Sequence, residues 1–294
     1  MKLWAVSDLH VRHQENRAAI ERTPARPDDW MILGGDLGET EEHLVFALEA
    51  FGRKYGRLIW VPGNHELYAQ GALRGESKYQ RMVELCRQRG VLTPEDPYQV
   101  WTGEGGPALL APLFLLYDYS FRPDHVPAAR AVAWAREEGL VCSDEWALDP
   151  APHQSREAWC AARLLETQER LAARLAGLPA DLPTVLINHF PLRQELVRLR
   201  RIPRFSIWCG TSHTHDWHRR FRAAVVVSGH LHLPRTDFVD GVRFEEVSFG
   251  YPRQRPAWVT LEGCIRQILP DPGDYPFHRF WAEREAAERA AGKG

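Results

Sequence analysis

Short apolar runs alternate with polar segments along this chain, and they predict buried strands. Runs rich in Leu, Ile and Val lie at residues 3–6, 31–33, 58–61, 185–187 and 225–227. Continuous apolar runs of this length are typical of strands that are buried on both faces. Between the second and third runs, Leu44, Leu48 and Phe51 recur at helical spacing and predict a helix with one apolar face. The pattern therefore indicates a layered α/β protein.

The second half of the chain is also rich in predicted strands. Its candidates are residues 184–187, 223–227, 242–247, 258–261 and 265–269. Each of the two β-rich parts must bury the apolar faces of its strands. We therefore predict a two-sheet β-sandwich flanked by helices.

The stretch between these halves, residues 67–183, predicts mainly helices. Helical patterns cover 77–89, 128–138 and 156–176, whereas the apolar run 109–117 predicts a further core strand. We interpret the stretch either as a helical cap insertion over a site or as a peripheral helical layer. On this basis we expect one domain over residues 1–272, with 67–183 inserted in it. Residues 273–294, which are punctuated by Pro and Gly and then charged, predict a fraying C-terminal tail.

Composition and charge exclude several classes of protein. The chain has 294 residues and a formal net charge of −2, so it has no overall attraction for nucleic acid or an anionic membrane. Its 5 cysteines are odd in number and lack paired CxxC spacing, which argues against a disulfide framework or a structural zinc site. No apolar run approaches the roughly 18 residues that are needed to cross a bilayer, so we expect no membrane span. A strand predicted to start at Lys2 leaves no room for a signal peptide, so we expect a cytoplasmic location.

Polar motifs follow five of the apolar runs directly. They are Asp8-Leu9-His10, Gly35-Asp36, Gly63-Asn64-His65-Glu66, Asn188-His189 and Gly229-His230-Leu231-His232. The carboxyl ends of parallel strands form the crevice where α/β proteins bind ligands, so we expect these motifs to converge. Carboxylate, imidazole and amide oxygen donors suit hard or borderline metal ions. Asp8 and His10 can bind one ion, and the single carboxylate of Asp36 can bridge two.

Together, the motifs resemble those of the calcineurin-like metallophosphoesterases. The resemblance implies two metal ions, with manganese and iron expected and zinc as an alternative. It assigns Asp8, His10, Asp36 and His232 to the first metal and Asp36, Asn64, His189 and His230 to the second. It leaves His65 without a metal, as a catalytic acid for the leaving group.

The same resemblance implies a mechanism in which a hydroxide bridging the two metals attacks phosphorus. One question about His65 stays open at this point. The carboxylate that orients its ring can be either Glu39 or Glu66, because the segment after Asp36 departs from the family pattern.

Longer segments narrow the resemblance to the mycobacterial 4′-phosphopantetheinyl hydrolases. These segments are residues 7–10, 27–30, 60–66, 114–121, 208–211 and 240–248. This similarity implies a phosphodiesterase that removes 4′-phosphopantetheine from the serine of a holo acyl or peptidyl carrier protein, which is then the expected partner.

Such a substrate predicts two kinds of binding residue. Arg200 and Arg201 belong to an arginine cluster that follows His189 and can attract an acidic carrier protein, although the cluster can equally be an ordinary solvated surface. Tyr119 and Trp208 can line an apolar channel for the arm, or they can be core residues.

Two rival functions use the same motifs. One is a phosphoesterase that acts on nucleotides or cyclic nucleotides with an aromatic clamp on the base. The other is a non-catalytic scaffold with a degraded site. Because none of the metal ligands implied by the resemblance is missing from the sequence, the scaffold is the weaker rival.

Overall fold

Ten strands form the framework of the described part of the protein. The structure is a computed structural model that describes residues 1–256 and 258–290. In chain order its strands are β1 (Leu3–Val6), β2 (Arg26–Leu33), β3 (Tyr55–Trp60), β4 (Gln99–Trp101), β5 (Ala108–Pro112), β6 (Thr184–Ile187), β7 (Ala223–Ser228), β8 (Arg235–Val239), β9 (Val242–Glu246) and β10 (Arg266–Leu269).

Helices connect and cover these strands. They are α1 (Gln14–Arg22), α2 (Glu41–Gly52), α3 (Gly75–Arg87), α4 (Ala131–Arg136), α5 (Asp144–Ala147), α6 (Arg156–Ala176), α7 (Trp217–Arg220), α8 (Leu261–Cys264) and α9 (Pro276–Ala290). None of the helices in the described part of the chain combines the length and the apolar character that a membrane span requires.

The strands form two sheets. The first has the order β10-β1-β2-β3, in which β1, β2 and β3 are parallel and β10 is antiparallel. The second has the order β4-β5-β6-β7-β9-β8, in which β5, β6, β7 and β9 are parallel and the two edge strands are antiparallel.

The two sheets pack face to face, and helices cover the outer faces. One apolar cluster lies between the sheets and contains Ala5, Ile32, Val185 and Val227 from their inner faces. A second cluster joins the outer face of the first sheet to α2 and α3, and a third joins the second sheet to α6 and α7. The predicted two-sheet sandwich flanked by helices is therefore confirmed.

Some predicted elements differ from the structure. Residues 258–261 do not form a strand, because the Thr260 side chain accepts a hydrogen bond from the Gly263 amide and begins α8 there. The run 109–117 pairs as a strand only to Pro112, and α1 lies between β1 and β2.

The prediction of a fraying tail is wrong for α9. This helix packs against β8, where Trp281 Nε1 donates to the Pro234 carbonyl at 2.8 Å and Glu285 contacts Arg235 at 3.1 Å. Residues 291–294 of the predicted tail lie outside the described part of the chain.

The insertion, residues 67–183, is only partly helical. It supplies β4 and β5 to the second sheet, while α3 and α6 cover the outer faces. Its short helix α5 reaches the loops that follow β3, as described below. The division into a domain over 1–272 with an inserted cap stays a proposal.

Candidate metal centre

The seven predicted metal ligands all follow parallel strands at one edge of the sandwich. Asp8 and His10 follow β1, Asp36 follows β2 and Asn64 follows β3, all in the first sheet. In the second sheet, His189 follows β6, and the pair His230 and His232 follows β7. The polarity of the parallel strands thus gathers residues that are far apart in sequence.

The first group of donor atoms consists of Asp8, His10 and His232. His232 Nε2 lies 3.0 Å from Asp8 Oδ1 and 3.1 Å from His10 Nε2. The other carboxylate oxygen of Asp8 accepts hydrogen bonds from Ser248 Oγ at 2.8 Å and from the His230 amide at 3.0 Å. Asp8 is thereby fixed with Oδ1 directed toward the two histidines.

The second group consists of Asp36, His189 and His230, whose donor atoms lie within 4.8 Å of one another. His189 Nε2 is 3.5 Å from Asp36 Oδ2, and its other ring nitrogen lies 2.9 Å from the Gly34 carbonyl oxygen. That carbonyl favours a proton on Nδ1, which leaves Nε2 to bind a cation. Asp36 also belongs to a third group, with His10 and His65, so it lies between the two halves of the centre.

The backbone at the centre is strained. Asp8, His10, Asp36, His230 and His232 all have positive φ values, between 40° and 73°. Residues with side chains rarely adopt this left-handed conformation, which costs on the order of 1–3 kcal/mol per residue. Strain repeated at five donor residues is typical of a site where geometry is retained for function rather than for stability.

Glu66 holds two of the loops together. Its buried carboxylate accepts hydrogen bonds from the amides of Gly63 (2.8 Å), Asp36 (2.9 Å) and Leu37 (2.6 Å). The loops approach so closely that a Cβ atom at Gly63 would overlap the Asp36 carboxylate. Glu66 therefore shapes the backbone around Asp36 and does not contact the His65 ring.

The carboxylate that orients His65 is Glu39. Glu39 Oε1 lies 3.2 Å from His65 Nδ1, which answers the question that the sequence left open. On the other side of the ring, Nε2 lies 3.1 Å from Tyr251 Oη and 3.8 Å from Asp36 Oδ2. His65 is thus placed beside the centre with one nitrogen tied to Glu39.

Electrostatic effects in the cluster oppose one another. Burial disfavours charge on His189 and His65, but Asp36 and other nearby carboxylates raise their pKa values to about 10 and about 9. Burial, followed by the charge on His189, lowers the pKa of His230 to about 3. Although burial opposes its ionisation, His189 and His65 hold the pKa of Asp36 well below its ordinary range. The buried carboxylates thus attract positive charge into the site.

The donor atoms fit a pair of metal ions. His189 Nε2, His230 Nε2 and Asn64 Oδ1 are buried and have no hydrogen-bond partner within residues 1–256 and 258–290. Buried polar atoms are usually paired, so the unpaired imidazole nitrogens near the ionised carboxylates of Asp8 and Asp36 indicate a ligand. Imidazole nitrogen, amide oxygen and carboxylate oxygen suit divalent manganese, iron or zinc.

Two residues at the centre were not predicted from the sequence. Tyr251 stacks on His10 with ring centroids 4.1 Å apart, and Asp144 Oδ1 accepts hydrogen bonds from Asn64 Nδ2 at 2.9 Å and Tyr68 Oη at 2.8 Å. Neither belongs to a motif. The sequence signal for Asp144 is the short acidic segment in which it lies, residues 143–150.

The predicted substrate residues fall into two sets. Arg200 and Arg201 line a cavity that reaches His232. Tyr119 and Trp208 are buried in the core, where both donate a hydrogen bond to Glu145 Oε1, at 2.9 Å and 2.8 Å. These two aromatic side chains do not line that cavity.

The comparisons with known proteins agree with this geometry. The family model described as calcineurin-like phosphoesterase matches residues 1–234, and the chain belongs to that family. Among curated proteins, it is 46% identical over 278 residues to the [Acyl-carrier-protein] phosphodiesterase PptH of Mycobacterium tuberculosis (strain ATCC 25618 / H37Rv), covering 92% of this chain and 84% of that protein. The crystal structure of phosphopantetheinyl hydrolase (PptH) from Mycobacterium tuberculosis matches with a TM-score of 0.85 and 44% identity, covering 93% of this chain and 97% of the other.

Proposed function

We propose that this protein is a metal-dependent phosphodiesterase that releases 4′-phosphopantetheine from the serine of a holo carrier protein. The observation that supports it best is the convergence of six of the seven predicted donor residues, together with His65, in a chain that is 46% identical to a curated acyl-carrier-protein phosphodiesterase. The family supplies the reaction class, and the relative supplies the substrate.

The donor set suggests how two metals would be held. Asp8, His10 and His232 would bind the first ion, Asn64, His189 and His230 the second, and Asp36 both. We propose manganese and iron as the pair, with zinc as the alternative, because these metals accept mixed nitrogen and oxygen ligands. When bound, two such ions activate water at neutral pH and neutralise charge on the phosphoryl oxygens.

In this reaction, the role of His65 is to protonate the leaving group. Water adds to phosphorus, and the bond between phosphorus and the serine oxygen breaks. The serine oxygen then needs a proton, which His65 Nε2 can donate while Glu39 stabilises the imidazolium through Nδ1. The products are 4′-phosphopantetheine and the apo carrier protein.

Mass spectrometry of the carrier protein tests this function. Metal-loaded enzyme is incubated separately with a holo carrier protein, a cyclic nucleotide and a simple phosphodiester. We expect the holo carrier to lose the mass of its arm and the cyclic nucleotide to persist. Asp36→Ala should abolish the release, whereas Asp124→Asn, a change in an exposed loop, should not.

Two results would contradict the proposal. Hydrolysis of the cyclic nucleotide with an unchanged holo carrier would favour the nucleotide enzyme. No turnover of any of the three compounds by fully metal-loaded protein would favour the scaffold.

A further inference from the structure

A cavity of about 430 Å³ adjoins the metal centre. It extends from His232 to α9, and most of its lining side chains are apolar, including Leu199, Leu231, Phe249, Val259, Phe280 and Trp281. Its volume is in the range of small-molecule sites, which are about 300–1,000 Å³ and mostly apolar with a few polar groups. Here the polar groups are more numerous, and they include Gln254, Arg255 and five further arginines.

The outer wall of this cavity is fixed to the rest of the protein. Trp281 of α9 donates a hydrogen bond to the Pro234 carbonyl, in the loop that follows His232. Farther along α9, Glu285 contacts Arg198 at 3.3 Å and Arg235 at 3.1 Å. A helix held at two points forms one wall of the cavity, so the cavity is part of the fold.

The cavity is connected to the metal centre through His232. Gln254 Oε1 lies 2.9 Å from His232 Nδ1, and both residues line the cavity. His65 and Tyr251, in contrast, are not among its lining residues. The His10 ring contacts both neighbours, with centroids 4.7 Å from His65 and 5.1 Å from His232. A ligand in the cavity therefore approaches the centre on the His232 side of His10.

We infer that this cavity binds the pantetheine arm of the substrate, an inference that rests on the proposed function. The arm alternates methyl and methylene groups with two amides, which matches a lining in which slightly more than half of the side chains are apolar and the others are polar or charged. Its phosphate end would lie at the metal centre beside His232. The serine oxygen, on the opposite side of phosphorus, would then face His65, where the leaving group receives its proton.

Calorimetric titration of the metal-loaded protein tests the cavity independently of turnover. The two probes are 4′-phosphopantetheine and inorganic phosphate. Both can bind the metal centre, but only the first has an arm to bury. We expect wild-type protein to bind 4′-phosphopantetheine roughly tenfold or more tightly than phosphate, because the arm buries apolar surface.

Leu199→Trp fills the cavity, so the affinity for 4′-phosphopantetheine should fall close to the affinity for phosphate. Leu165→Trp is the matched control, since it introduces the same side chain on α6 at a residue that is 60% exposed. Phe280→Ala, which removes contact area without filling the space, should reduce the preference for 4′-phosphopantetheine by roughly threefold or more. Phosphate binding by each variant shows that its metal centre is folded.

Equal affinities for the two probes in wild-type protein would overturn the inference. A preference that persists unchanged in both Leu199→Trp and Phe280→Ala would overturn it too. If either result is found and the enzyme still releases the arm from a holo carrier protein, the cavity does not bind the arm, but the proposed function stands. If the preference for 4′-phosphopantetheine depends on the cavity but no arm is released from the carrier protein, the cavity binds the arm and the proposed function is wrong.

Discussion

At the level of single residues, the metal centre separates residues that bind cations from residues that position them. His65 has one nitrogen hydrogen bonded to Glu39 and the other directed toward Tyr251 and Asp36. This arrangement suits a proton donor beside the metals. Asp144 is a positioning residue, because it contacts the Asn64 amide nitrogen and leaves the amide oxygen for a cation.

His65→Ala should retain both metals but lose turnover. Loss of a positioned acid lowers kcat by roughly 100-fold or more when the leaving group is poor. Metal analysis by mass spectrometry and the rate on an alkyl phosphodiester measure the two effects, with His125→Ala, an exposed loop change, as the control. A full rate in His65→Ala would remove the proton-donor assignment.

Asp144→Ala should weaken binding of the second metal. Without its acceptor the Asn64 amide is free to turn, and loss of such supporting contacts typically costs about 10–100-fold in metal affinity. Competition with a chelating dye measures that affinity. Asp144→Asn keeps an acceptor oxygen and should restore most of it. Unchanged affinity in Asp144→Ala would show that Asp144 does not position Asn64.

At the level of secondary structure, the sequence predicted elements best where both faces are buried. The bounds of β1 and β6 agree with their apolar runs, because a strand between two packed layers has little polar surface to interrupt the run. Edge strand β8 was missed, since the charged residues Arg235 and Asp237 interrupt its apolar pattern. Residues 258–261 have apolar side chains, but a local cap at Thr260 determines their conformation.

The same reasoning explains how far the site could be predicted. Each of the seven donors directly follows a strand, so sequence order and strand polarity were enough to group them. The roles of Glu39 and Glu66 depend on loop conformations at positive φ, which no apolar pattern encodes. Tyr251 and Asp144 reach the site through long-range packing of segments that have no motif.

An ion pair that attaches α6 to the loop before β4 predicts a pH-dependent stability. Glu95 contacts Arg163 at 2.6 Å. Burial raises the pKa of Glu95, but Arg163 and a hydrogen bond from Tyr79 more than offset this, so the net shift is downward. A lowered carboxyl pKa adds stability that is present above the ordinary pKa of 4.5 and is lost as the pH falls through the lowered value.

Glu95→Gln should therefore destabilise the protein by on the order of 2 kcal/mol at pH 7. Urea unfolding over a range of pH measures the difference from wild type. That difference should decrease as the pH falls below the usual carboxyl range. Glu49→Gln, at an exposed pair with Arg89, is the control and should have little effect. A difference that stays constant with pH would contradict the ion-pair explanation.

At the level of the whole molecule, the net charge is −2, yet arginine residues are concentrated beside the cavity. Arg198, Arg200 and Arg235 all contact Glu285 of α9, and Arg201 lies beside them in the cavity lining. Among the described residues, six arginine side chains and three carboxylates line the cavity, so the lining carries an excess of positive charge. Such a surface attracts an acidic protein even when the chain as a whole is slightly negative.

Reversing the charges at Arg200 and Arg201 should slow the reaction with a holo carrier protein. We expect Arg200→Glu with Arg201→Glu to lower kcat/KM roughly tenfold at low salt, and the loss to shrink as salt screens the charges. Arg53→Glu is the control, because Arg53 lies before β3 and hence at the opposite edge of the sheet from the site. A loss that does not depend on salt would contradict electrostatic attraction.

Anomalous diffraction from crystals of the metal-loaded protein tests the dinuclear centre most directly. The expected result is two peaks that share Asp36, with Asp8, His10 and His232 around one and Asn64, His189 and His230 around the other. Asp36→Ala should lose both peaks. A single peak, or peaks away from these seven residues in fully loaded protein, would contradict a two-metal phosphodiesterase.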